Sequence, residues 1–99
     1  MGGFDSLRLN LNIGEKVKNW TVLKGFFGED FYISDISNDY IIVKPISAIH
    51  LQKIYRRDFD YMISIWEDYL KGRIERHEIR ENTRNSKYVI SILHHIGYI

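Results

Sequence analysis

Phe59, Met62, Ile63, Trp66, Tyr69 and Leu70 recur at steps of three and four residues, the spacing that lines up side chains on one face of an α-helix. Asp58 stands where an N-cap is expected and Gly72 where a C-cap is expected, so the pattern predicts a helix from 58 to about 71. Its apolar stripe is wide enough to cover a sheet, and Asp60, Glu67 and Asp68 lie largely off it.

Two further helices follow. Residues 75 to 82 form a short one with Ile74 and Ile79 as its apolar anchors, which suits a surface position. Asn85 or Ser86 then caps a third helix through Ile96, closed by Gly97. Tyr88, Val89, Ile92, Leu93 and Ile96 make its apolar run.

Upstream the signals are those of strands. Residues 20–27 are rich in β-branched and aromatic side chains, Gly28, Glu29 and Asp30 make a turn, and residues 31–36 are again β-rich. Two such runs around a glycine-containing turn predict a hairpin, with Phe31, Ile33 and Asp35 on one face and Tyr32, Ser34 and Ile36 on the other. Ser37, Asn38 and Asp39 make the next turn. Residues 40–43 are nearly all apolar, so they are expected to form a central strand covered on both faces and ended by Pro45. Residues 49–55 add a fourth strand. Leu7, Leu9, Leu11 and Ile13 alternate with polar residues, which favours a strand there too; Asp5 and Ser6 as caps and Gly14 as a stop allow a short helix instead.

The expected fold is therefore α+β: an antiparallel three- or four-stranded meander followed by three helices, with the β part at about 7–55 and the helical part at about 58–96. At 99 residues, 44% hydrophobic and 14% aromatic, the chain suits one domain with one core. There is no cysteine, which excludes disulfides, thiolate chemistry and cysteine-ligated zinc. No stretch approaches the roughly 18 apolar residues of a membrane span. The expectation is a soluble, cytoplasmic protein with no membrane partner.

Charge is nearly balanced, at net +1, but unevenly placed: residues 51–99 hold nine basic and seven acidic side chains, against five and six in residues 1–50. Arg76, Arg80 and Arg84 are four apart, and Arg84, Asn85, Ser86 and Lys87 stand at the start of the last helix. Exposed backbone amides at a helix start, with guanidinium groups beside them, favour phosphate. The second and third helices with their short break also have helix-turn-helix proportions, with the third helix as the reader. These six residues are the expected nucleic-acid surface. The opposing reading is that Glu75, Glu78 and Glu81 neutralise the arginines on a solvated face. Tyr88 could stack on a base, or sit half-buried in the core.

Phe26 and Phe27, at the expected hairpin tip, make an apolar patch if exposed, which points to a protein partner or a homodimer. Enzyme chemistry has little to stand on. His94 and His95 are adjacent and diverge on a helix; His77 and Glu81 offer two ligands without a third; the carboxylates Asp58, Asp60, Glu67 and Asp68 do not converge. No strained Gly-x-Ser-x-Gly turn or glycine-rich phosphate loop is present. The reading carries no catalytic residue, metal or cofactor, and ranks a small ribonuclease using His94 or His95 with Arg84 behind the two binding readings.

The order Trp66, Tyr69, Gly72, Arg76, Arg84, Asn85, Ser86, Tyr88 resembles the C-terminal helical segments of small uncharacterised bacterial proteins of the mobile-element, gene-cassette kind. The likeness covers about thirty residues. It implies a bacterial, cytoplasmic accessory protein and carries over no functional residue.

Overall fold

A computed structural model of the chain describes residues 3–98. It is an α+β fold in which a four-stranded antiparallel sheet is covered on one face by helices. In chain order the elements are α1 (Phe4–Leu9), β1 (Lys16–Val17), β2 (Trp20–Thr21), β3 (Gly25–Phe26), β4 (Phe31–Ile36), β5 (Tyr40–Pro45), β6 (Gln52–Tyr55), α2 (Arg56–Leu70), α3 (Arg76–Asn82) and α4 (Ser86–His95). The sheet order is β1-β4-β5-β6, and β2 with β3 form a separate two-stranded ribbon.

The strand expected over Leu7 to Ile13 is absent: α1 runs through Leu7 to Leu9, and residues 10–13 are turn and loop. Phe4, Leu7 and Leu11 are buried, a three-and-four spacing, whereas Leu9 is 79% and Ile13 64% exposed. The apparent alternation was half of a helical pattern whose anchor, Phe4, packs its ring 5.1 Å from Phe59. Neither Asp5 nor Ser6 caps this helix, whose N-cap is Gly3.

The hairpin expected between residues 20–27 and 31–36 is also replaced. Residues 20–26 fold back on themselves: Trp20 pairs with Phe26 and Thr21 with Gly25 around a three-residue loop. Gly25 takes a positive φ of 67° there, and the Thr21 hydroxyl accepts the Lys24 backbone N–H at 3.2 Å. Both are signatures of a three-residue hairpin loop. The neighbour of β4 is instead β1, with Lys16 opposite Tyr32 and Val17 opposite Phe31.

β4 and β5 are the internal strands, as expected for β5, but β5 is covered on one face only: Ile41 and Val43 are buried while Ile42 is half-buried. The helices lie on a single face, so only every second residue meets the core. A register shift between Ile33 and Asp35 flips the alternation of β4, so Ile36 rather than Asp35 comes opposite the buried Ile41. β6 supplies the expected fourth strand.

α2 begins two residues before the expected cap. Its N-cap is Tyr55, and the Arg56 backbone N–H is taken by the Asp39 carbonyl at 2.8 Å. Asp58 lies buried inside the first turn, where a carboxylate meets the positive end of the helix dipole. At the other end Gly72 (φ 71°) donates to the Tyr69 carbonyl and Arg73 to that of Asp68, a Schellman stop as expected. α4 ends the same way through Gly97, whose successor Tyr98 accepts the Trp66 indole N–H at 3.0 Å. Phe31, Ile33, Ile54, Phe59, Met62, Ile92 and Leu93 are wholly buried in one continuous core that joins the β and helical parts. Among the described residues no helix is long and apolar enough to cross a membrane.

Candidate nucleic-acid interface

The ribbon is fastened to the helical layer by side-chain hydrogen bonds from the two long helices. The Ser91 hydroxyl of α4 accepts the Trp20 N–H at 3.0 Å, and the Tyr69 hydroxyl of α2 accepts the Val22 N–H at 3.0 Å. Trp20 also stacks on His94, with ring centroids 3.8 Å apart. Held there, the ribbon stands opposite α3 and the start of α4, and the space between is a cleft of about 500 Å³. Lys24 and Phe27 line it from the ribbon side, Arg76 and Arg80 from α3, and Lys87 and Tyr88 from α4.

Four cations therefore face one cleft against a single carboxylate, Glu29. That carboxylate is engaged: the Ser47 hydroxyl donates to it at 2.7 Å, the Ser47 backbone N–H donates to its other oxygen, and these bonds hold its pKa below the usual carboxylate value, helped by the charge of Lys87. Glu75 pairs with His77 at 3.1 Å. Among the described residues, Lys24, Arg76, Arg80, Arg84 and Lys87 form no ion pair. Among the described residues no direct ion pair joins Glu75, Glu78 or Glu81 to these arginines, although Glu75 shares a hollow with Arg76 and Glu81 one with Arg80 and Arg84.

The six expected surface residues divide between two sides of α3. Arg76, Arg80 and Lys87 share the cleft just described. Ser86 lies beside it, in an adjoining apolar hollow of about 320 Å³ that Val22, Tyr69, Ile74 and Ile90 help to line. Arg84 and Asn85 open instead on a third hollow of about 530 Å³, with Lys53 and Arg57 but also Asp58 and Glu81. Arg80 borders both charged hollows. α4 is buried through residues 88–93, so its two ends reach the surface and its middle does not. Tyr88 is in the core, edge-on to Phe31 at 5.1 Å, while still bordering the cleft.

Phe26 and Phe27 are both exposed, as the patch reading requires, but stand after the ribbon's loop and have different neighbours. Phe27, 55% exposed, borders the cleft, with the Lys24 ammonium 4.4 Å from its ring centroid. Phe26 has different company, with its ring edge-on to His94 at 5.6 Å and Lys18 over it at 5.7 Å.

Sequence reasoning missed Lys24, Asn19 and Thr21, all of which border the cleft. The available signal was Thr21 followed four residues later by Gly25, a short-loop pattern that turns 20–27 into a ribbon and points Lys24 toward α3.

The histidines and Arg84 are not brought together. Arg84 precedes α4 and His94 and His95 end it, a separation of roughly 15 Å at 1.5 Å per residue. His95 pairs with Glu15, whose pKa that hydrogen bond lowers, and burial with the neighbouring His95 lowers that of His94. Among the described residues no three His, Asp or Glu side chains gather as a metal site. Comparison with protein-family models, curated proteins and solved structures finds no match for this chain.

Proposed function

We propose that this protein binds nucleic acid through the cleft between the ribbon, α3 and the start of α4, by phosphate contacts from Lys24, Arg76, Arg80 and Lys87. The observation that carries the reading is the convergence of four exposed cations without ion-pair partners on one concave surface. Arginine forks suit phosphate oxygens, and concave walls of one sign concentrate the field on a polyanion. The interface in this reading is a cleft, and no helix enters a groove. Arg84, Asn85, Lys53 and Arg57 form a second, more charge-balanced surface beyond Arg80 that a longer strand reaches.

The test is fluorescence anisotropy of labelled oligonucleotides from about 20 mM to 200 mM salt. Affinity should fall with a log–log slope of about −0.7 to −0.9 for each phosphate contacted. The double variant Arg76→Ala, Arg80→Ala should reduce that slope by about two contacts while keeping its unfolding transition, because both side chains are exposed. No binding at the lowest salt would overturn the reading.

A second reading is self-association. Leu23, at the ribbon tip, is 92% exposed and Phe26 64%, an apolar edge that a second copy could cover. Sedimentation equilibrium decides it: a species of 11.8 kDa at every concentration leaves the edge to solvent.

A further inference from the structure

Phe27 is the one large apolar side chain among the cleft's exposed lining, and its position is unlike that of an ordinary surface phenylalanine. It lines the same cleft as Lys24 on the ribbon and Arg76 and Lys87 on the helices, so a strand held by those cations passes within the space that the ring borders. The Lys24 ammonium lies over one face of the ring, 4.4 Å from its centroid, so a base stacks on the opposite face or takes the ammonium's place while the ammonium turns to its phosphate. Burial does not account for this ring, since more than half of its surface is open. Gly28, next in the chain, holds a positive φ of 82°, and the Phe27 N–H is bonded to the Asn19 carbonyl at 3.0 Å. The backbone that presents the ring is therefore set, not loose.

A flat hydrophobic ring fixed among phosphate-binding cations matches one ligand chemistry. An unpaired base offers a π-face to stack on, and its own phosphates then meet the surrounding cations. A duplex hides its base faces in the stack and offers only its outer phosphates and groove edges. We infer that the cleft takes single-stranded nucleic acid in preference to duplex, with a base stacked on Phe27 and the flanking phosphates on Lys24, Arg76 and Lys87. This rests on the nucleic-acid reading above and adds the class of strand and the residue that selects it.

The experiment compares one labelled 12-nucleotide sequence as a single strand and as a duplex, titrated with the wild type, Phe27→Ala, Phe27→Trp and Phe26→Ala. The single strand should bind more tightly than the duplex. Phe27→Ala should weaken single-strand binding by about 5- to 150-fold, the range of one base–aromatic contact. Its salt slope and its binding to duplex should stay as in the wild type, and Phe27→Trp should restore the affinity. Phe26→Ala should leave single-strand binding within about twofold, since Phe26 borders no part of the cleft. Equal affinity for the two forms, or no loss with Phe27→Ala, overturns the stacking inference and leaves the phosphate reading standing. Absence of binding to either form overturns both.

Discussion

The Ser91 hydroxyl accepts the backbone N–H of Trp20 at 3.0 Å, joining the last helix to the first strand of the ribbon across 71 residues of chain. The same hydroxyl donates to the Lys87 carbonyl at 2.8 Å, so one wholly buried serine sits between the two walls of the cleft. Ser91→Ala removes the acceptor and leaves the Trp20 N–H short of a partner, which costs about 1–3 kcal/mol. Urea unfolding should show that loss, and oligonucleotide affinity should drop with it because the ribbon is less firmly placed. Unchanged stability would mean that solvent or another group satisfies Trp20.

Leu7 and Leu9 separate the two readings of the N-terminal segment. On a strand they would share one face; on α1 Leu7 is buried and Leu9 faces solvent. Leu7→Ala should cost about 2–5 kcal/mol, as a buried leucine does. Leu9→Ala should stay within about 0.5 kcal/mol. Equal losses measured by chemical denaturation would restore the strand.

Among the described residues Glu29 is the only carboxylate lining the cationic cleft. Glu29→Gln keeps a group able to accept from Ser47 and removes the charge. Nucleic-acid affinity should rise by about two- to fivefold at low salt, and the gain should vanish near 1 M salt, where the screening length is about 3 Å. A weaker complex would show that Glu29 supports the cleft more than it opposes the ligand.

His94 lies against Trp20 with its pKa held below the ordinary imidazole value of 6.5 by burial, and further by the neighbouring His95. A base whose folded pKa is lowered is protonated first in the unfolded chain. Its contribution to stability is complete above 6.5 and is lost as the pH falls from there through the folded value. Urea midpoints should therefore decline as the pH falls below 6.5, and His94→Gln should flatten that decline. Glu15, also lowered, is lost only below its ordinary 4.5, a separate window. An identical pH slope in the variant would remove His94 from the account.

The helical half was legible because its elements carry complete local signals. The Phe59 to Tyr69 stripe and the glycines at 72 and 97 mark one helix face and two stops, and each is used as its chemistry suggests. The β half was less so. Residues 20–27 are as β-rich as any strand, but Gly25 and the Thr21 hydroxyl close a loop within them, and that local turn outcompetes pairing with β4. The two-residue strand Lys16–Val17 has no period to read and owes its place to the open edge of β4.

The same division holds for the interface. Arg76, Arg80 and Lys87 stand out in the sequence because arginine and lysine at helical spacing are visible without coordinates. Lys24 and Phe27 lie about fifty residues earlier, and nothing local ties them to α3. What sequence determined by itself was the α+β class, the helix faces and their stops, since backbone hydrogen bonding and side-chain period act over a few residues. What only tertiary structure decided was which edge β4 pairs on, whether Phe26 and Phe27 act together, and which cations share a cleft. Those follow from burial of a common core, and burial is a property of the whole chain.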